Sequence, residues 1–295
     1  MLELTNWGLT KLNKEIERLL NRKLEPFITG LGQAYVSEWV DCPCVFVLST
    51  GRVGTKTLTA LLALSPQVVA THEPRPRLVK ASFDAYMEGG DLGHSEKWRT
   101  VVLAARDDAV WEASRRGKIY VETNNRLTYV ALALAVIFPA SRFIHLHRHP
   151  YEFVRSAMRR GYYQGQSWDF ARVRPRSWEP LAEQWAALSP LEKSAWGWAR
   201  INAEAGDFLG TLPEARRLDV RAEGLFAGDE DTLRKLFAFV GGDFPGKGRI
   251  KAVLGRNIHA QRRGTFPLPS EGSEDERRVV RERVVVVAGA LGYEV

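Results

Sequence analysis

The chain moves between two hydrophobic rhythms. Between positions 9 and 24, Leu9, Leu12, Ile16, Leu19 and Leu20 recur every three or four residues with charges between them, which predicts an amphipathic helix that packs by one face. From Cys44 the rhythm becomes one of short apolar runs: Cys44-Val45-Phe46-Val47-Leu48, Val68-Val69-Ala70, Ile119-Tyr120-Val121 and Phe143-Ile144-His145-Leu146, separated by helix-like stretches. That alternation predicts parallel strands joined by crossover helices. Leu218-Asp219-Val220 is a further candidate strand. Trp178 to Leu209 reads as two helices broken near Ser189-Pro190, with Ser as N-cap and Pro at the first helical position. Residues 231–240 and 274–289 read as late helices, although the β-branched content of Val279 to Val287 also suits a strand. Glycine, proline and serine mark loops at 241–248 and 264–272. The expected architecture is a three-layer α/β fold on a central parallel sheet, with residues 31–295 as one domain behind a helical extension at 1–30.

Composition narrows the picture. With 295 residues, 45% hydrophobic, and nine tryptophans, the chain can bury a sizeable core and is not a disordered one. Its net charge of +7 suits an anionic partner, and the charge is local. Residues 142–176 hold eight arginines against Glu152 and Asp169, a net +6. Cys42 and Cys44 are too close for an easy disulfide and too few for a structural zinc site, so they read as reduced and inert. The start lacks a basic, then apolar, targeting pattern, and the longest apolar stretch, Tyr129 to Ala140, is too short to span a bilayer. The expected compartment is the cytoplasm.

The candidate chemistry begins where the first strand ends. Ser49-Thr50-Gly51-Arg52-Val53-Gly54-Thr55-Lys56-Thr57 runs from that strand into a helical face made by Leu58, Leu61, Leu62 and Leu64. A loop of this kind aims backbone N–H groups and a helix N-terminus at an anion; Gly51 and Gly54 permit close approach, and Arg52 and Lys56 add full charges. The Walker A pattern of nucleotide triphosphatases fails here, because Lys56 follows Thr55 rather than Gly and no strand ends in the Asp expected to hold magnesium. Farther on, Phe143 to His147 leads into Arg148-His149-Pro150, and the next helix carries Ser156. An Arg at a strand's C-terminal end lies in the crevice where open α/β sheets bind ligands, and Ser156 can serve the same anion.

Together these two motifs resemble those of the PAPS-dependent sulfotransferases, whose first loop clasps the 5′-phosphosulfate and whose Arg-x-Pro-x(5)-Ser motif holds the 3′-phosphate. The resemblance implies a P-loop-like sulfotransferase fold and PAPS as co-substrate, released as adenosine 3′,5′-bisphosphate. It assigns Arg52 as the basic residue of the loop, Gly54, Thr55, Lys56 and Thr57 as the glycine and following donors, and Arg148 with Ser156 as the 3′-phosphate pair. Arg221-Ala222-Glu223-Gly224-Leu225 takes the place of the family's Tyr-Glu-Asp-Leu segment but lacks its Tyr and Asp. Arg262-Arg263-Gly264 resembles a late basic loop that closes over the 3′-phosphate in some members.

Sulfuryl transfer needs an in-line acceptor, a base for its proton and cations around the leaving phosphate; no metal is required. Arg52, then Lys56, is the expected stabiliser of the leaving group. The base is expected at a strand end: Glu73 first, in a His-Glu-Pro context that resembles carbohydrate-type members, then His72, then Glu122. The expected acceptor is a hydroxyl compound, a sugar or glycolipid ahead of other small molecules. His145 and His147 are expected to pack or hydrogen-bond, since a metal site would lack carboxylate partners. Trp185, Trp196 and Trp198 are expected in the core, and Arg172, Arg174 and Arg176 either in a solvated loop or against an acidic acceptor. Two readings compete: a P-loop kinase or nucleotide triphosphatase, and a nucleic-acid-binding module using the basic 142–176 segment. The motif pair favours neither, so no nucleic-acid partner is expected.

Overall fold

The computed structural model describes residues 41–93, 95–255 and 273–295. The extension at 1–30 with its helix at 9–24, the loop at 264–272 and Arg262, Arg263 and Gly264 lie outside them. The elements run β1 (Cys44–Leu48), α1 (Thr55–Leu62), β2 (Val68–His72), α2 (Val79–Glu88), α3 (Glu96–Arg115), β3 (Ile119–Thr123), α4 (Ala131–Ile137), β4 (Arg142–His147) and α5 (Pro150–Arg159). They continue with α6 (Pro190–Gly210), β5 (Arg217–Arg221), α7 (Ala222–Ala227), α8 (Glu230–Val240), α9 (Lys247–Leu254) and α10 (Glu274–Ala290). Among these, no helix is long and apolar enough to cross a membrane.

All five strands pair in parallel, in the order β2-β3-β1-β4-β5. β1 is central and buried along its whole length, because helices cover both faces of the sheet. Its odd members, Val45 and Val47, join Val121, Ile144, Leu146 and Val220 under α1, α8 and α9. Phe46 faces the other side, where its ring meets Tyr120, Phe138 and Phe143. On that side α6 packs against α5 and α10 around Trp198, Phe153 and Val284. The result is a three-layer α/β fold. Each fully buried leucine of α1, such as Leu58 or Leu61, contributes roughly 1.5–3 kcal/mol by leaving water.

This topology places the chemistry. The chain goes from β1 outward to β2, returns to β3, then crosses to β4 on the opposite side of β1, which makes a switch point beside the ends of β1 and β4. Leu48 is level with His145 across that pair, so the loop after β1 leaves the sheet beside the end of β4.

Two details differ from the sequence reading. The first half of 178–209 forms only two short 3-10 turns, Pro180–Ala182 and Trp185–Ala187, since none of their residues is buried and packing gives the stretch no reason to extend. α6 begins at Pro190, held by a capping box between Ser189 and Glu192. α9 starts inside the expected 241–248 loop. The valine-rich tail is helical: Val280, Val284 and Ala288, four residues apart, are buried, and helical spacing overrides β-branching.

Candidate active site

The loop after β1 is built to approach an anion closely. Gly51 and Gly54 hold φ of 73° and 90°, and Arg52 between them also lies in the left-handed region at 58°. A Cβ on Gly54 would come within 2.4 Å of the Phe226 ring, and one on Gly51 within 3.1 Å of the Asn125 amide. Gly54 caps α1 with no side-chain acceptor on the first N–H groups, and the first turn carries no acidic residue. The first turn thus keeps backbone donors and a partial positive charge for a ligand. Val53 and Thr55 are buried, whereas Lys56 is exposed. Thr57 is half-buried on the same first turn.

The second motif meets this loop. Arg52 donates from Nε to the Ser156 hydroxyl at 3.1 Å, across 104 residues of chain. Arg148 lies with its guanidinium 5.5 Å from the centre of the Phe226 ring, the ring that also covers Gly54. Burial lowers the Arg52 pKa, and the neighbouring guanidiniums of Arg160 and Arg148 lower it further. Three arginines from separate positions therefore share one field. Ser156 reaches Arg52 rather than Arg148, which instead donates to Glu152 at 2.9 Å; Arg155 donates to the same carboxylate at 3.0 Å. Glu223 fastens the turn between, accepting from the His149 N–H at 2.8 Å and from the Tyr293 hydroxyl at 3.1 Å.

Of the expected bases, Glu73 and His72 stand at the end of β2 and face the loop. The Glu73 backbone is held at φ 45°, an uncommon, strained conformation, with its N–H donating to the Thr123 carbonyl at 3.0 Å. Its carboxylate is 38% exposed, lies 3.8 Å from His72 Nε2 and attracts Arg52. His72 Nδ1 is 2.9 Å from the Thr123 hydroxyl, which is 2.6 Å from that of Thr59 on α1. Glu122 is a different case, and its place as third base does not hold. Its carboxylate is fully buried and faces the equally buried Arg106, which donates from Nη2 at 2.7 Å. Tyr120 donates to it at 3.1 Å and Asn124 at 3.0 Å, so its lone pairs are occupied and no acceptor reaches it.

Beside the loop opens a pocket whose lining includes Thr50, Asn125, Arg126, Tyr129, Tyr162 and Arg172. Arg172 is no solvated loop residue: its Nε donates to Asp169 at 2.5 Å and its guanidinium rests 3.2 Å from the Tyr162 ring centre. Arg176 is pinned by Glu179 and Glu204, while Arg174 is exposed beside the Phe83 ring. Trp198 is wholly buried; Trp185 and Trp196 are half-buried and meet edge to face at 5.1 Å. Cys42 and Cys44 are buried free thiols.

His145 and His147 do hydrogen-bond, His145 to Asp219 at 3.1 Å and Asn202 at 2.9 Å, and His147 to Tyr293 at 2.9 Å. Contrary to the sequence expectation, a carboxylate does stand beside them: Asp219 brings an oxygen within 4.8 Å of a ring nitrogen of each. Sequence reasoning missed Phe226, Arg160 and Arg126. Arg160 had a signal, four residues after Ser156 and so on the same side of the helix end; Phe226 and Arg126 had none.

A profile of the sulfotransferase family matches residues 43–246. No curated protein matches the sequence significantly. Among solved structures, the fold is similar to the sulfotransferase domain from the curacin biosynthetic pathway, with a TM-score of 0.51 at 16% identity over 86% of this chain and 99% of that one. It is similar to the sulfotransferase domain of the Synechococcus PCC 7002 olefin synthase, at 0.50 and 17% identity over 86% and 95%. A sulfotransferase from Alicyclobacillus acidocaldarius gives 0.50 and 15% identity over 86% and 97%.

Proposed function

The chain belongs to the sulfotransferase family, and from that premise we propose that it transfers the sulfuryl group of PAPS to an acceptor hydroxyl, on a sugar, a glycolipid or another small molecule. The observation that carries the reading is the 3.1 Å bond from Arg52 to Ser156, which joins the two phosphate motifs into one basic crevice. The glycine geometry supports a phosphosulfate: positive φ and the close packing of Asn125 and Phe226 demand glycine at 51 and 54, and the tight turn they shape leads its backbone into the N-terminus of α1.

PAPS supplies the activated sulfur; the protein's residues do the rest. The turn Gly51 to Gly54 and the first turn of α1, with Thr55, Lys56 and Thr57, hold the 5′ end, and Arg148 with Ser156 holds the 3′-phosphate. Arg148 then shares itself between that phosphate and Glu152. Glu73 takes the acceptor proton as the hydroxyl oxygen bonds to sulfur and the bond from sulfur to the 5′-phosphate oxygen breaks. Arg52 and Lys56 stabilise the charge that develops on that leaving oxygen. His72, held by Thr123, orients Glu73 or relays its proton.

Thermal unfolding with adenosine 3′,5′-bisphosphate, ATP and AMP tests the reading, since a ligand that binds only the folded chain raises its midpoint. The bisphosphate is expected to protect best, and radiolabelled sulfate is expected to move from PAPS to a hydroxyl acceptor without added metal. Stronger protection by magnesium ATP would point instead to a kinase or triphosphatase.

A further inference from the structure

The pocket beside the loop holds two polar groups with bonding capacity to spare. The Tyr129 hydroxyl is buried and has no hydrogen-bond partner, and it lines the pocket. A buried hydroxyl left this way costs about 1–3 kcal/mol, so its retention points to a partner that arrives from outside. Arg126 lines the same pocket. It donates to the Ala171 carbonyl at 2.7 Å and makes no ion pair with a carboxylate among the described residues. Burial first, then the nearby Arg172 guanidinium, lowers the Arg126 pKa. Burial likewise raises that of Tyr129, which keeps its hydroxyl a donor. Arg172 already has Asp169, so the surplus positive charge belongs to Arg126.

Thr50 and Asn125 connect this pocket to the transfer site: both line it, Thr50 belongs to the phosphate loop and Asn125 packs on Gly51. Phe83, Phe153 and Val173 make its other walls apolar. We propose that this is part of the acceptor site and that it selects a hydroxyl compound carrying an oxyanion: the cavity, about 40 Å³, takes the oxyanion alone, held by the Arg126 guanidinium and the Tyr129 hydroxyl, while the rest of the compound lies outside it toward the phosphate loop. This rests on the sulfotransferase reading and narrows its acceptor. The acceptor hydroxyl then points toward Glu73, whose charge lies in the field of Arg126. The transfer itself is unchanged: oxygen bonds to sulfur, the phosphosulfate bond breaks, and Glu73 takes the proton, while the oxyanion keeps its charge throughout.

The test uses hydroxyl compounds in matched charged and neutral forms: glucuronate with glucuronamide, 4-hydroxyphenylacetate with its amide, and glucose 6-phosphate with glucose. Transfer from PAPS and retention by the enzyme saturated with adenosine 3′,5′-bisphosphate are measured for each. A charged member is expected to exceed its neutral partner at least tenfold in kcat/KM, through KM; the carboxylate and phosphate arms identify which oxyanion fits. Arg126→Met is expected to erase that preference while adenosine 3′,5′-bisphosphate still binds. Tyr129→Phe guards against a folding artefact: losing an unpartnered buried hydroxyl should hold or raise Tm, yet narrow the preference several-fold. Neutral partners accepted equally well, or a preference that survives Arg126→Met, overturns the proposal. So does a nucleotide-loaded enzyme that neither retains nor sulfates any charged compound. Failure to bind the nucleotide at all would overturn the sulfotransferase reading instead.

Discussion

Arg106 and Glu122 face each other with no solvent exposure, and Tyr120 and Asn124 occupy what remains of the carboxylate. Arg52 and Glu73 follow β1 and β2, with β3 between those strands, but Glu73 is 38% exposed, and Arg52 gives Ser156 its Nε while two more guanidiniums crowd it. The residue types are the same. The difference lies in how completely each group's bonding capacity is satisfied by the fold, and it separates structural charge from charge kept for a ligand. A saturated buried pair adds little net stability but is costly to break. A cluster of like charges with strained backbone at Arg52 and Glu73 is the kind of arrangement that gathers at ligand sites, and it supports the proposed one.

The contrast can be broken from the structural side first. Arg106→Met leaves a buried carboxylate without its partner and is expected to destabilise the fold by about 3–5 kcal/mol, read as a large fall in the urea midpoint. Glu73→Gln should do the opposite, leaving the urea midpoint and nucleotide affinity near wild type while kcat falls roughly 10²–10⁴-fold. Undiminished turnover would move the base to His72.

Acid sharpens the same distinction. Burial lowers His147 from 6.5 to about 3, so below pH 6.5 the unfolded chain takes up a proton that the folded chain declines until about pH 3. Stability from this group is full above pH 6.5 and falls through that window, by about 3 kcal/mol near pH 4. Urea titrations at stepped pH should show the slope, and His147→Gln should flatten it. The smallest effect is Ser189→Ala, which removes the capping box of α6 and should cost about 1 kcal/mol with no change in nucleotide binding.

Strand positions were legible because β1 to β4 each carry a short apolar run in a sheet covered on both faces, and β5 shows Leu218 and Val220 alternating with charged residues. The two motifs were legible because each puts a charge or glycine at a strand end, where local chemistry announces itself. What stayed hidden depends on contacts across the chain. Nothing near Glu122 announces Arg106, sixteen residues before it, and so the saturated acid stood third among the expected bases. Phe226 becomes meaningful only once the sheet order brings it over Gly54 and beside Arg148. Arg126 and Tyr129 acquire a role only from the pocket that closes around them.

The central claim is that both motifs grip one nucleotide, and calorimetric titration of adenosine 3′,5′-bisphosphate, 3′-AMP and 5′-AMP into wild type and Arg148→Ala tests it most directly. The account predicts that the bisphosphate binds tightest. It also predicts that Arg148→Ala weakens the bisphosphate and 3′-AMP by about 1.5–3 kcal/mol, the range for a hydrogen bond to a charged group, and leaves 5′-AMP nearly unchanged. Equal weakening of all three ligands, or none of any, would contradict it.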